Sequence, residues 1–226
     1  MSSGNILVKV WDAPVRLFHW LLVLLFAFMI FSGKSGGDWL EWHMRAGYAV
    51  FALVLFRIVW GFTGSTYARF SSFLAGPSAC LRFARKLLAG APAPSAGHNP
   101  LGGWMVLVLL LALLFQAGTG MFANDDILSE GPLASLVSKT MSDRLTGWHY
   151  WNSNLLLLLV TVHVFAVLYH MLFMRENLIG AMFTGVKLLP ADAAGNVAAR
   201  FASPWLALVF LLLAALVVFL IVKRPF

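Results

Sequence analysis

The chain has 226 residues, of which 61% are hydrophobic and 11% are charged. An ordinary soluble domain has about a quarter of its residues charged, so this composition indicates a chain whose solvent is lipid. The formal charge of +7 does not indicate nucleic-acid binding, because the basic residues lie at the ends of apolar segments instead of forming a stripe with interleaved aromatic residues. Cys80 is the single cysteine, which excludes an intrachain disulfide and any metal site built from several thiolates.

Five apolar segments approach the roughly 20 residues that a helix needs to cross the hydrocarbon core of a bilayer. Membrane helices are predicted over residues 14–31, 42–62, 102–122, 148–174 and 204–222. We therefore expect an all-α integral membrane protein. Residues 1–187 form its four-helix transmembrane domain, and residues 188–226 form a linker and an additional C-terminal transmembrane helix. Between the second and third helices, Phe83 and Leu87 among Arg82 and Arg85 predict an amphipathic helix on the membrane surface.

The distribution of basic residues predicts the orientation of the chain. Ten of the 16 Lys and Arg residues fall on the side of the N-terminus, which places the N-terminus in the cytoplasm. The first apolar segment follows Lys9 and Arg16 as the apolar part of a signal peptide would, but no A-x-A cleavage site follows it. We therefore expect an uncleaved signal anchor in a multi-pass membrane protein.

Five of the six histidines lie in or at the ends of predicted helices, where a polar ligating side chain is costly unless it has a partner or a cofactor. His149 and His163 are 14 residues apart in the fourth helix, so they differ by about 40° in direction and by about 21 Å along the helix axis. His43 lies at the level of His149, and His19 lies toward the level of His163. Two inter-helix pairs are therefore available, His43 with His149 and His19 with His163.

Each pair is suited to the two axial positions of a haem iron, because a planar apolar macrocycle fits between packed helices and imidazole is a strong axial ligand. With both axial positions filled, such a site transfers electrons and does not bind oxygen. Zinc is the competing metal, but a tetrahedral zinc site gathers its ligands at one depth. His170 is the rival of His163 as the partner of His19, since it lies seven residues further along the same stripe.

Other polar residues near these histidines have two interpretations each. Arg16 and Arg57 lie near the predicted cytoplasmic ends of their helices, where they either bind haem propionates or extend to lipid phosphates. Asn154 either hydrogen-bonds a neighbouring ligand or links two helices. Glycines that allow close approach, either of helix to helix or of backbone to a macrocycle, are residues 33, 47, 118 and 120.

At these residues the sequence resembles the prokaryotic cytochrome b561 family and the related cytochrome b subunits of NiFe hydrogenases. The matching pieces are Arg16-Leu-Phe-His19-Trp20, Trp42-His43 followed by Gly47, and Trp148-His149 through Asn154 to His163. The resemblance covers residues 6–187. It implies a four-helix bundle in the bacterial inner membrane with two b haems held by the motif histidines. It also implies that quinone or quinol is a redox partner.

The resemblance favours a dihaem b-type cytochrome that transfers electrons between the quinone pool and a periplasmic partner, such as a c-type cytochrome attracted by Asp125, Asp126 and Glu130. A superoxide oxidase and a cytochrome b subunit of a hydrogenase-like complex are the redox alternatives. The outer cations available to steer superoxide are Lys34, Arg45, Lys139 and Arg144. A haem-free proton or metal transporter, or an assembly subunit, is the non-redox alternative. A homo-oligomer is compatible with each of these interpretations.

Overall fold

The computed structural model of the chain describes residues 4–90, 95–127, 129–191 and 199–223. Within these residues the chain forms eight α-helices and two β-strands. The helices are α1 Ala13–Ser35, α2 Trp39–Thr63, α3 Phe70–Phe73, α4 Pro77–Leu88, α5 Pro100–Gly120, α6 Lys139–Leu172, α7 Leu178–Thr184 and α8 Pro204–Val222. The strands are β1 Asn5–Lys9 and β2 Val186–Pro190.

Five of the described helices are long and apolar enough to cross a membrane, namely α1, α2, α5, α6 and α8. This confirms the predicted number and order of the spans. The start of α6 was predicted too late, at Trp148, because hydropathy detects only the apolar part of a helix. Its polar first turns are stabilised by Ser138 Oγ, which accepts from Met141 N at 3.3 Å, and by the ion pair of Lys139 with Asp143.

The predicted amphipathic surface helix is α4. Phe83 is buried on one of its faces, whereas Arg82 and Arg85 are exposed. Just before α4, the carbonyl oxygen of Ala75 accepts a hydrogen bond from Trp104 Nε1 of α5 at 2.8 Å. This bond connects the turn before α4 to the first turns of α5.

A two-stranded antiparallel sheet, which the sequence did not predict, joins β1 to β2. Asn5 lies opposite Pro190, and Lys9 lies opposite Val186. Each strand has only five residues and its partner is distant in sequence, so periodicity alone gives no signal for the pairing. β2 crosses the boundary between residues 187 and 188 at which we divided the chain. That division stays a prediction, and residues 192–198 and 224–226 of its second part lie outside the described residues.

The described residues form two compact units. The first unit lies within Met1–Leu17, Val59–Val108 and Thr161–Pro204, and the second within Phe18–Ile58, Leu109–Val160 and Trp205–Phe226. The second unit has an apolar core drawn from α2, α5 and α6. Its buried members are Val50, Val54, Ala112, Leu113 and Leu156. This core fixes the helices that carry the candidate ligands described below.

Asp12 fixes the start of α1 in the first unit. Its side chain is 5% exposed, and its Oδ1 accepts a hydrogen bond from Val15 N at 2.8 Å as an N-cap. Its Oδ2 accepts from Trp60 Nε1 at 3.0 Å, and Trp60 is fully buried. One carboxylate therefore caps α1 and anchors the C-terminal part of α2.

Replacing Asp12 with alanine is expected to lower the free energy of unfolding by about 2 kcal/mol or more. The loss combines the about 1 kcal/mol of an N-cap with the about 1–3 kcal/mol cost of removing the acceptor of a buried donor. Unfolding in detergent, followed by tryptophan fluorescence, measures it. Asp12→Asn keeps one acceptor oxygen and is expected to lie between the wild type and Asp12→Ala. An alanine variant as stable as the wild type would contradict the anchoring role.

Candidate functional site

The structure brings His43 of α2 and His149 of α6 together. Their ring centroids are 6.4 Å apart and their planes cross at 77°. A metal that binds the nearer nitrogen of each of two facing imidazoles at about 2.0 Å separates the ring centres by about 6 Å. The observed separation of 6.4 Å is close to this spacing.

The ring of His149 is held by the end of α5. Its Nδ1 lies 2.9 Å from the carbonyl oxygen of Gln116 and 3.4 Å from Thr119 Oγ1. A carbonyl oxygen only accepts, so Nδ1 carries the proton and Nε2 keeps the lone pair that a metal needs. A Cβ atom at Gly120 would lie 2.8 Å from the ring Cε1, so glycine is the residue that leaves room for the imidazole.

The ring of His43 is held in the same way by the end of α1. Its Nδ1 lies 3.1 Å from Ser32 Oγ, and the hydroxyl of Ser32 donates to the carbonyl oxygen of Phe28 at 2.8 Å. A Cβ atom at Gly33 would lie 3.0 Å from the ring Cε1. The neutral ring of His43 therefore also has its lone pair on Nε2.

The two rings share one local arrangement. In α1 and again in α5, a hydroxyl residue followed directly by glycine contacts an imidazole from another membrane helix. We call each of these dipeptides, Ser32-Gly33 and Thr119-Gly120, a hydroxyl–glycine cradle. The glycines singled out in the sequence include Gly33 and Gly120, but neither hydroxyl residue was singled out. A Ser-Gly or Thr-Gly dipeptide near the end of two apolar helices is the signal that could have found them.

Asn152, one turn after His149, links α6 to α5. It is 2% exposed, and its Nδ2 donates to Gln116 Oε1 at 2.7 Å and to the carbonyl oxygen of Ala112 at 2.9 Å. Asn154, the asparagine singled out in the sequence, is exposed and donates to a backbone carbonyl of its own helix. It lies five residues from His149, about 140° around the helix. The inter-helix link considered for Asn154 is therefore made by Asn152.

His19 and His163 are both half-buried, in α1 and α6 respectively. The ring of His19 contacts Trp20 edge to face, with centroids 5.0 Å apart. The pairing of these two histidines stays a prediction.

His170, the rival of His163, has both ring nitrogens engaged in a polar network. It is 8% exposed, with Nδ1 3.2 Å from Glu176 Oε2 and Nε2 3.5 Å from Asn99 Nδ2. Lys187 Nζ lies 3.5 Å from the same carboxylate oxygen. An imidazole with partners on both nitrogens is a poor source of a metal lone pair. This favours His163 as the second ligand of α6.

The two arginines of the predicted site are both partly or fully buried. Arg16 Nη1 donates to the carbonyl oxygen of Phe183, and Arg16 Nε is buried without a hydrogen-bond partner among the described residues. Arg57 is 2% exposed within α2. Guanidinium groups at such positions interact favourably with an anionic group such as a haem propionate. Their role as propionate partners stays a prediction.

The donor set fits haem better than a bare metal ion. Nowhere in the described part of the chain do three or more His, Cys, Asp or Glu side chains gather in an arrangement that would hold a metal ion. His43 and His149 would supply two nitrogen ligands, and a haem would supply the other four from its own pyrrole nitrogens. The glycines of the two cradles leave room for the imidazole rings.

The loop between α5 and α6 uses its charged groups in contacts within itself and with the start of α6. Asp125 Oδ1 accepts hydrogen bonds from the backbone N–H groups of residues 127 and 129, at 3.0 and 2.8 Å. Lys139 forms ion pairs with Asp126 and Asp143. Two of the three acidic residues predicted to attract a basic partner therefore stabilise the loop itself, while Glu130 is exposed.

Proteins of similar sequence are named as cytochrome subunits, which agrees with a site suited to haem. The chain is 27% identical over 221 residues to a probable Ni/Fe-hydrogenase B-type cytochrome subunit of Rhizobium leguminosarum bv. viciae, which covers 80% of this chain and 89% of that protein. It is 27% identical over 226 residues to the protein of the same description in Azotobacter vinelandii, with 82% and 90% covered. The probable Ni/Fe-hydrogenase 1 B-type cytochrome subunit of Escherichia coli (strain K12) is 28% identical over 145 residues, with 53% and 61% covered. No solved structure matches significantly.

The sequence profile described as prokaryotic cytochrome b561 matches residues 10–185, which is most of the chain. The matched part contains α1, α2, α5 and α6 and all four predicted ligands. The match confirms the resemblance and the fold class, a helical membrane bundle to which this chain adds α8. The chain belongs to the prokaryotic cytochrome b561 family, whose members are multi-pass membrane proteins that carry b-type haem and transport electrons.

Proposed function

We propose that this chain is a dihaem b-type cytochrome that passes electrons between a redox subunit at its outer face and quinone in the membrane. The observation that carries the proposal is the pair of His43 and His149, whose ring centroids are 6.4 Å apart. The Nδ1 atom of each ring is hydrogen-bonded, to Ser32 Oγ in His43 and to the carbonyl oxygen of Gln116 in His149. A haem b bound by two histidines supplies one-electron transfer without an open iron position.

A second haem site is assigned to His19 and His163. His163 lies 14 residues after His149 in the same continuous helix, which places it about 21 Å further along the axis. His170 is engaged by Glu176 and Asn99, which leaves His163 as the better ligand on this helix. With the N-terminus in the cytoplasm of a bacterial inner membrane, this haem is the inner one.

The relatives favour a hydrogenase-like complex over a periplasmic cytochrome c as the outer partner. The curated relatives described above are named as B-type cytochrome subunits of Ni/Fe hydrogenases. The outer carboxylates also favour this choice, because Asp125 and Asp126 are engaged within their own loop. The electron donor is therefore proposed to be a partner subunit of an oxidoreductase complex.

Superoxide oxidation is less well supported. Superoxide is an anion, so a steering site requires cations that are not already neutralised. Lys139 is paired with two aspartates, and Arg45 is paired with Glu41 four residues earlier. Two of the four outer cations considered for this role are thus engaged.

A haem-free transporter is also less well supported. Transporters commonly place their substrate site where a membrane helix is interrupted near the bilayer midplane. Each of the five described spans is a single uninterrupted α-helix. Continuous helices with histidines on one face favour a protein that binds a prosthetic group between its helices over a transporter.

The purified protein is expected to contain about two haem b per chain, and a quinol analogue is expected to reduce them. Pyridine haemochrome quantitation and a reduced-minus-oxidised spectrum measure the haem, and stopped-flow spectroscopy measures the reduction. A colourless protein despite adequate haem supply would exclude the cytochrome. A haem-loaded protein that no quinol reduces and whose reduced form no quinone oxidises would exclude the quinone role alone.

A further inference from the structure

We infer that the two hydroxyl–glycine cradles set the redox potential of the outer haem. In this inference Ser32 and Thr119 are positioning residues that accept the Nδ1–H of His43 and His149 and so lower the midpoint potential of the iron between them. The inference rests on the proposed function, because it requires a haem at this histidine pair.

Both hydroxyls donate to a carbonyl oxygen of their own helix. Ser32 Oγ donates to the carbonyl oxygen of Phe28 at 2.8 Å, and Thr119 Oγ1 donates to that of Phe115 at 2.8 Å. A hydroxyl has one hydrogen, so an oxygen that has used it in this way faces the imidazole with lone pairs only. Both rings therefore carry a proton on Nδ1.

Both hydroxyl residues are buried. Ser32 is 0% exposed and Thr119 is 4% exposed, so water does not compete for either contact. A hydrogen bond in such a low-dielectric environment polarises its donor more than the same bond in water. An acceptor on Nδ1–H raises the basicity of Nε2, and a more basic axial ligand stabilises ferric over ferrous iron. The hydroxyls therefore lower the potential.

The hydroxyl and glycine contacts occur on both histidines. Ser32 and Gly33 contact the ring of His43, and Thr119 and Gly120 contact the ring of His149. The same contacts on both axial ligands add in the same direction. They differ in length, at 3.1 Å for Ser32 and 3.4 Å for Thr119.

The chain provides a matched control for the hydroxyl. Thr63 Oγ1 donates to the carbonyl oxygen of Val59 at 2.9 Å, which is the same bond to the preceding turn that Ser32 and Thr119 make. Thr63 is exposed at the far end of α2. A bond of this kind within one helix therefore does not depend on a neighbouring imidazole.

The test is a potentiometric titration of purified dihaem protein, read at the haem absorption bands and by EPR. In Ser32→Ala and in Thr119→Val, the potential of one haem is expected to rise while the other haem keeps its value. The rise is expected to be larger in Ser32→Ala, because its contact is shorter and because the carbonyl oxygen of Gln116, 2.9 Å from His149 Nδ1, still accepts in Thr119→Val. It is expected to be largest in the double variant. Thr119→Ser keeps the hydroxyl and is expected to restore the wild-type potential, and Thr63→Val is expected to change nothing.

Full haem content with potentials and EPR signals unchanged in Ser32→Ala and Thr119→Val would overturn the inference and leave the proposed function intact. A rise of equal size in Thr63→Val would overturn it as well. If Ser32→Ala does not retain haem, the comparison of Thr119→Val with Thr119→Ser decides the question. A wild-type protein without haem at this pair would instead overturn the proposed function.

Discussion

Replacing His149 with alanine is expected to remove one of about two haems per chain and to leave the other in place. The substitution deletes one of the two imidazoles that face each other at 6.4 Å, and His43 alone gives the iron a single protein ligand. His163 lies about 21 Å away along the same helix, so the second proposed pair, His19 with His163, does not use His149. Pyridine haemochrome quantitation of the purified variant measures the loss.

His163→Ala is the complementary variant and is expected to remove the second haem of the proposed pair. The remaining haem should then differ between the two variants in midpoint potential and in the position of its absorption band. His98→Ala serves as the control, because the ring of His98 packs against Trp11 and Phe73, with centroids 4.7 and 4.8 Å apart. Loss of the same haem in both ligand variants, or two haems retained in His149→Ala, would contradict the two-site arrangement.

The membrane spans could be predicted from the sequence because hydropathy is a property of each segment alone. All five spans were found, and α4 was found from its basic and apolar residues. The polar start of α6 was missed, since its first turns depend on Ser138 and on the pair of Lys139 with Asp143. The pairing of β1 with β2 was missed because it joins distant residues by backbone hydrogen bonds that leave little trace in so short a pattern.

Site residues that depend on one helix alone could also be predicted, whereas those that depend on how two helices pack could not. His43 and His149 could be placed at one level from helix rise and orientation, which need only the sequence. The choice between Asn152 and Asn154 needed the rotation of α6 against α5, and spacing alone did not provide it. Ser32 and Thr119 were missed for a related reason. A hydroxyl in an apolar helix usually bonds its own backbone, and only the position of a neighbouring helix shows that its oxygen also meets an imidazole.

Gly120→Ala is expected to abolish or strongly weaken binding of the haem proposed between His43 and His149, without unfolding the protein. The added Cβ atom would lie 2.8 Å from His149 Cε1, closer than such atoms approach, so the ring must move. The added Cβ atom would collide with the ring of His149 and not with backbone atoms, so the ring can move while the helices stay in place. Moving the ring lengthens its 2.9 Å bond to the carbonyl oxygen of Gln116 and turns Nε2 away from the iron position. Haem content and thermal unfolding in detergent measure the two effects separately.

Gly118→Ala is the matched control, because it makes the same chemical change two residues earlier in the same helix. A Cβ atom at Gly118 meets nothing within 4 Å. In a helix interior, alanine is favoured over glycine by about 0.8–1 kcal/mol, so this variant is expected to be at least as stable as the wild type with its full haem content. The two alanines thus have the same helix propensity and differ in whether they meet an imidazole. Full haem retention with an unchanged spectrum in Gly120→Ala would show that the glycine of this cradle is not needed to place His149.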